Sequence, residues 1–339
     1  MRKIKVAAMG VEHRHIFSQL KGMLDLGCEC IGWWNDGDNK ITQDFNKKYP
    51  SIKRESDKKN LLSNPEIDLV LIADIPNKRA SLAIECMEAG KDVMLDKPGC
   101  TSLTQLKEIE KTVAKTQKIF SIDFSERFEV PCVQVAYDLI KKGEIGKVVQ
   151  TIGMGPHRLN LPTRPNWFFD YEKYGGILCD IASHQIDQFL FFTGSTQAEI
   201  ISSSTGNFAH SEYPKFEDFG EILIHGDKGR GYIRVDWYTP DALPNWGDGR
   251  LTIIGTEGYI ELRKYVDVVG KKGTDHIYLV NKDKYEYINA ASESLTYFQR
   301  LMNDVNERTS TAMDQNHCLN VMKLAITAQM NAKRMGNLK

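Results

Sequence analysis

Asp180, His184 and Asp187 recur at i, i+4 and i+7 in a stretch that opens on Gly175-Gly176 and stays mostly apolar to Phe192. Read as one helix, that stretch places the three ionisable groups on a common face. Ile177, Leu178, Ile181, Ile186, Phe189 and Leu190 supply apolar surroundings. A carboxylate–imidazole set in such a setting needs partners and suits acid/base chemistry. The competing reading is that the carboxylates only hold His184 in the fold. A second chemical group lies upstream, in Asp96-Lys97-Pro98. A lysine that closes a strand just ahead of a proline faces the crevice at the strand ends, where parallel sheets bind ligands.

These groups need rigid elements to position them. Residues 3–9 form a short apolar strand ending at Gly10, and Ile16 to Leu26 shows helical periodicity. Further strands are expected at 29–34, 69–73, 92–95 and 119–122, with helices at 81–89 (stopped by Gly90) and 102–115. Regular alternation of this kind predicts a doubly wound parallel sheet, a Rossmann-type α/β domain, over residues 1–123. The remainder, 124–339, reads as an α+β domain. A helix at 130–142 and a strand at 148–154 precede a long loop-like stretch, 155–174. Strands at 200–204, 218–225, 231–237, 250–254, 259–262 and 277–280 then predict a largely antiparallel open sheet with helices on one face. Helices at 294–306 and 318–334 close the chain and are candidates to pack back on the first domain.

The first strand–helix turn, Gly10-Val11-Glu12-His13-Arg14-His15, is where a dinucleotide fingerprint would read G-x-G-x-x-G/A. Only Gly10 matches it. The helix that follows can still offer backbone N–H groups to a pyrophosphate, whereas Glu12 and His15 place bulk at the other glycine positions. Asn35 and Asp36 end the second strand, where a carboxylate accepts bonds from the adenosine ribose and disfavours a 2′-phosphate. Ala73, Asp74 and Asn77 border the loop after the third strand, and Asp96 and Lys97 close the fourth. Gly10, Glu12, His13, Asn35, Asp36, Ala73, Asp74, Asn77, Asp96 and Lys97 are the candidate cofactor residues, for NAD or NADP with NAD preferred. His13 and His15 lack a matched ligand spacing, so no metal is expected.

Asp96-Lys97-Pro98, together with the run from Gly175 to His184, closely resembles the motifs of the Gfo/Idh/MocA oxidoreductase family: E-K-P after the fourth strand and G-G-G-x-L-x-D-x-G-x-H in the second domain. Glu88-Ala89-Gly90-Lys91, Glu126-Arg127-Phe128, Gly143-Glu144-Ile145-Gly146 and Gly255-Thr256-Glu257-Gly258 match the family pattern too. Departures are Asp96 for glutamate, Tyr174 for the first glycine, Ala182 for the glycine before the histidine, and Arg79 where histidine is frequent. The resemblance implies Lys97 and His184 in acid/base work, with Asp180 orienting substrate or histidine. It also implies oligomer contacts, a homodimer or homotetramer, through the C-terminal sheet.

The expected reaction is hydride transfer between C4 of a nicotinamide and a secondary alcohol or ketone of a sugar, sugar derivative or cyclitol. Lys97 is expected to meet Asp180 and His184 in a cleft between the domains. Substrate candidates are Arg127, His157, Arg158, Trp167, Tyr174, Asp180 and His184, with Asn160 and Arg164 in the same stretch. Phe168 and Phe169 read as anchors of the loop. Two other readings stay open: a redox-neutral lyase, epimerase or glycosidase that retains its nucleotide, and a ligand sensor without turnover.

Composition sets limits. The 339-residue chain has a net charge of −1 and no basic block, so neither nucleic acid nor an anionic membrane is an expected partner. Its apolar runs are too short to span a bilayer. Seven scattered cysteines and no signal-peptide pattern at the start point to a cytoplasmic protein.

Overall fold

The computed structural model describes residues 2–268 and 270–336. It divides into two compact units. The first comprises residues 1–123, 173–175 and 296–322, and the second 124–172, 176–295 and 323–339.

The first unit is built on β1 (Lys5–Val11), α1 (Ile16–Asp25), β2 (Glu29–Trp34), α2 (Lys40–Lys48), α3 (Lys59–Leu62), β3 (Leu69–Ala73), α4 (Pro76–Glu88), β4 (Asp92–Asp96), α5 (Leu103–Thr116) and β5 (Phe120–Asp123). Its strands form one sheet in the order β2-β1-β3-β4-β5, and every pairing is parallel. All five residues of β3 and of β4 are buried, as expected of strands covered by helices on both faces. The chain leaves β1 for β2 on one side and β3 for β4 on the other. The order therefore switches between β1 and β3, and the crevice at their carboxyl ends falls between Gly10 and Asp74.

Next along the chain, mostly within the second unit, come α6 (Ser125–Phe128), α7 (Pro131–Lys141), β6 (Val148–Pro156), the short helices α8 (Tyr171–Tyr174) and α9 (Ile177–Asp180), α10 (Ala182–Thr193), β7 (Ala198–Gly206), β8 (Phe219–Gly226), β9 (Arg230–Asp236), β10 (Arg250–Gly255), β11 (Gly258–Arg263), β12 (His276–Asn281) and β13 (Tyr285–Asn289). Two closing helices, α11 (Tyr297–Glu307) and α12 (Gln315–Met330), and a two-residue strand, β14 (Lys333–Arg334), end the chain. The nine-stranded sheet runs β13-β12-β11-β10-β6-β9-β8-β7-β14. It is antiparallel except where β6 meets β9 and β14 meets β7. Strict alternation of buried and half-exposed residues along β8 shows that one face alone is covered. Val133 and Ala136 of α7 join Leu251, Ile253, Ile260 and Ile277 in one apolar cluster on that face.

Two expectations change. The single helix drawn from the two glycines to Phe192 is in fact α9 and α10, joined at Ile181. The amide of His184 bonds the Ile181 carbonyl, at i−3, instead of continuing the i−4 ladder, so a tightened turn separates Asp180 from His184. The stretch 155–174 is not a bare loop either. It carries 3₁₀ turns at Leu161–Thr163 and Asn166–Phe169 before α8.

Candidate functional site

At the end of β1 the backbone must turn sharply, and Gly10 does so at φ +68°; an added Cβ would stand 2.4 Å from the Cβ of Asp74. The amides of Glu12 and His13 both bond the Ala73 carbonyl, which fixes the turn against β3. Asn35 is buried inside this corner. Its Oδ1 accepts from the Val11 amide at 2.6 Å and its Nδ2 donates to Glu12 at 2.7 Å, so it shapes the turn. Asp36 is the carboxylate left outward, with a side chain 72% exposed and Lys78 3.4 Å away. Burial raises the Glu12 and Asp74 carboxyls above their ordinary range, against the pull of Asn35 on Glu12 and of the Ile75 amide on Asp74.

Asp96 gathers the turn's two imidazoles. His15 Nδ1 stands 2.7 Å from Oδ1. His13 Nδ1 stands 2.8 Å from Oδ2, off the line that a hydrogen bond needs. Arg79 Nη2 adds a third contact at 2.7 Å. Burial alone would raise the Asp96 carboxyl, but Arg79, His15 and His13 hold it well below the usual carboxylate range. Burial lowers His13 to about 4, despite the attraction of Asp96. The three residues bring one ligand-type atom each within 4.8 Å of one another. Two ligands on one zinc ion would sit roughly 3.3 Å apart at ordinary bond lengths. Separations of 2.7 and 2.8 Å are those of polar contacts, and a guanidinium on the same carboxylate opposes a dication.

The turn at Lys97 is organised by Arg79. Its Nε donates to the Asp74 carbonyl at 2.7 Å. Its Nη1 faces the carbonyls of Asp96 at 2.9 Å, Pro98 at 3.1 Å and Lys97 itself. Arg79 is 1% exposed and Lys97 5%. Asn77, expected beside the cofactor, gives its carbonyl to Gln105 from the first turn of α4.

In the second unit the glycine motif is held by residues far away in sequence. Gly176 adopts φ +87° and ψ 156° at the start of α9. Glu217 accepts the Ile177 amide at 2.9 Å, Gln329 accepts the Leu178 amide at 2.8 Å, and Gln329 in turn donates to Glu217. These bonds satisfy α9 amides that a four-residue helix leaves open. Asp180 and His184 follow, both buried, with the His184 ring edge-on to Phe124 at 6.3 Å. Beneath them lies a fully buried ion pair, Lys264 Nζ to Glu126 Oε2 at 2.7 Å, with Gln185 donating to the same oxygen at 2.9 Å. Burial would raise the Glu126 carboxyl, but Lys264, then His184 and His157, outweigh it and hold it low. Arg164 shares this environment: burial lowers its guanidinium to about 10 while Asp180 draws it back up.

The substrate candidates divide. His157 packs among aromatics, tilted against Trp246 at 4.6 Å and edge-on to Trp237 at 5.4 Å between ring centres. Trp167 is buried beside Phe168, and Phe169 stacks on Tyr213 at 4.0 Å. Tyr174 is 1% exposed. Arg127 is committed to Asp187 by two bonds of 2.6 and 2.7 Å. Arg158 is spent on the carbonyls of Pro240, Asp241 and Leu243. Sequence reasoning had no role for Glu126, Lys264, Glu217 or Gln329. Their partners are more than a hundred residues away or appear only once the sheet forms, and no local spacing marks them.

A parallel β/α unit with its crevice at Gly10, followed by a mostly antiparallel sheet carrying a buried aspartate–histidine helix pair, defines a two-domain nucleotide-linked oxidoreductase class. Residues 27–124 match the oxidoreductase family model described as an NAD-binding Rossmann fold, and residues 133–261 match the GFO/IDH/MocA C-terminal domain. The chain belongs to the Gfo/Idh/MocA oxidoreductase family. The first match begins beyond the Gly10 turn, where this chain departs from the fingerprint. An oxidoreductase crystal structure from Erwinia carotovora atroseptica SCRI1043 is 42% identical, covers 98% of this chain and 100% of that one, and superposes with a TM-score of 0.95. The scyllo-inositol 2-dehydrogenase (NAD(+)) of Bacillus subtilis is 27% identical over 233 residues, 66% of this chain and 64% of that protein. The myo-inositol 2-dehydrogenase of Thermotoga maritima is 25% identical over 248 residues, 70% of each chain. The match to the first of these dehydrogenases thus spans just under two thirds of its length. Among the described residues no helix is long and apolar enough to cross a membrane.

Proposed function

We propose that this protein is an NAD(P)-dependent dehydrogenase acting on a secondary alcohol or ketone of a sugar, sugar derivative or cyclitol, with NAD preferred. The observation that carries the reading is that the proposed acid/base residues of the two family motifs are all buried: Lys97 is 5% exposed, Asp180 9% and His184 2%. Charged and titratable side chains are seldom kept from water without a task. The named inositol dehydrogenases among the relatives support a polyol substrate.

The residues at the Gly10 turn are compatible with a dinucleotide. Gly10 makes the tight turn at φ +68° that the first glycine of a dinucleotide loop makes. The two bulky substitutions are tied sideways, Glu12 to Asn35 and His15 to Asp96. Gly10, Ala73 and Asp74 would line the turn, and the outward Asp36 would meet the ribose and disfavour a 2′-phosphate. When bound, the nicotinamide supplies the hydride acceptor or donor. The chain's own part is proton handling. Lys97 Nζ and the His184 imidazole take or give the hydroxyl proton, and Asp180 orients the substrate or the imidazole. His157 and Trp167 supply a ring nitrogen and an aromatic face for hydroxyl and C–H groups, whereas the Arg164 guanidinium is held by the carbonyls of Leu159 and Arg158. None of the seven cysteines is in a disulfide, which supports a cytoplasmic home. A row of half-exposed residues across the open sheet face, Leu223, Tyr232, Ile152, Tyr278 and Tyr287, is the surface proposed for homo-oligomer contacts.

The test is titration of nucleotide-free protein with NAD(H) and NADP(H), followed by tryptophan fluorescence, and then a polyol panel on the wild type and on Lys97→Ala. Saturable binding, turnover of a polyol and its loss in Lys97→Ala with nucleotide affinity kept are expected. Unchanged turnover in that variant would sink the mechanism. A nucleotide that never exchanges would favour the redox-neutral enzyme, and no binding would favour the sensor.

A further inference from the structure

We infer that Arg79 is a positioning residue for Lys97, holding the lysine's own peptide and both flanking ones in one place. The inference rests on the acid/base role proposed for Lys97.

The argument starts from unmet backbone groups. The β4 ladder ends at Leu95 and Asp96, and beyond it the chain turns inward. Lys97, Pro98, Gly99 and Cys100 are all buried. Their carbonyls still require donors, and Pro98 has no N–H to help. Three consecutive carbonyls, those of Asp96, Lys97 and Pro98, converge on the single nitrogen Nη1 of Arg79. In an extended strand successive carbonyls point to opposite sides, so one donor cannot serve all three. The remaining guanidinium atoms reach outward from the turn. Nη2 takes the Asp96 carboxylate, and Nε takes the carbonyl of Asp74 at the end of the neighbouring strand.

A guanidinium is a rigid planar fork. With every edge engaged, it cannot shift toward one carbonyl without leaving another. The Lys97 backbone is thereby referenced to the ends of β3 and β4 together, and the stem that carries Nζ starts from a fixed point. Proton transfer tolerates little misplacement; errors of about 1 Å can cost on the order of a hundredfold in rate. An amine or an amide at position 79 could bond one or two of these carbonyls but not span the set.

A residue that merely stabilised the fold would give the same stability loss, so the test needs a local reading. Accessibility of each lysine amine can be read by brief acetylation of the nucleotide-free protein, well below its melting temperature, with mass spectrometry resolving the sites. Lys91 and Lys264, 4% and 0% exposed, are internal controls in other surroundings. Expected for Arg79→Gln is labelling of Lys97 faster by roughly tenfold or more, with Lys91 and Lys264 within twofold of wild type. If Arg79→Gln does not fold, Arg79→Lys, which keeps the charge but not the fork, reads the same quantity. In parallel, kcat should drop at least tenfold while the NADH dissociation constant stays within about twofold. Unchanged Lys97 labelling, or a rise shared by Lys91 and Lys264, would overturn the inference and leave Arg79 a structural residue. Should Lys97→Ala retain turnover, the proposed mechanism fails by itself, and the labelling still reports whether Arg79 holds the turn.

Discussion

Gly176→Ala places two independent costs on one backbone position. The first is conformational: φ +87° with ψ 156° is a region essentially reserved for glycine, and forcing alanine there costs about 1–3 kcal/mol. The second is steric. An ideal Cβ would lie 2.2 Å from Cδ and 2.3 Å from Oε1 of Gln329. Gln329 must then withdraw, and the Leu178 amide and the Glu217 carboxylate lose a partner, at about 1 kcal/mol each. Together the expected loss is roughly 3–5 kcal/mol. Gln329→Ala alone forfeits the same two bonds without the backbone strain, about 2 kcal/mol. The double variant has no clash left to create, so it should be scarcely less stable than Gly176→Ala, giving a coupling of about 2 kcal/mol. Urea unfolding of the wild type and three variants, compared on the same transition, measures this. Turnover should fall as well, because the bonds that fix the start of α9 also fix Asp180. Simple additivity of the two single losses would refute the account of how the motif is held.

The other expectations follow from buried charge. His13 is lowered from 6.5 to about 4 in the folded protein. The unfolded chain therefore binds more protons across that window, and stability falls as pH drops from about 6.5 toward 4, by up to about 3 kcal/mol. A His13→Gln variant should flatten this part of the stability–pH curve, and an unchanged slope would contradict it. Lys264→Met leaves Glu126 as an unpaired buried carboxylate and should cost about 3–5 kcal/mol. Adding Glu126→Gln should recover much of that loss in thermal unfolding, whereas a further large drop would show that the pair is not what matters there.

Much of the fold was legible because its signals are local. Strand runs such as Leu69–Ala73 and the glycine at the end of α4 reflect burial and backbone freedom, and both can be read within a few residues. The two motifs around Lys97 and His184 were legible for the same reason. Local reading fails where the partner is remote. Arg127 and Arg158 resemble substrate ligands as sequence, but their guanidinium groups are consumed by Asp187 and by carbonyls near Leu243. Asn35 likewise sits where a ribose ligand is expected, yet it serves the Val11 amide. Glu126 and Lys264 are 138 residues apart, and nothing near either announces the other. The break at Ile181 was hidden for another reason, since hydrophobic periodicity does not register a change of hydrogen-bond step.

The division of the chain has a consequence for its synthesis. Residues 296–322 belong to the first unit. Phe298 packs over Gly22, Tyr297 meets Ser121, Gln315 accepts the Phe120 amide, and Arg308 grips Asp92 with two bonds. As the polypeptide leaves the ribosome, the five-stranded sheet is complete by residue 123, yet the helix and arginine that seal it are still untranslated. At roughly 5–20 residues per second, the interval lasts on the order of ten to forty seconds. Throughout it the nascent sheet has bare apolar surface around Gly22, Cys28 and Phe120, and Asp92 lacks its cation. The five-stranded sheet is thus finished only once residues 296–322 have emerged, well after the strands of the second sheet.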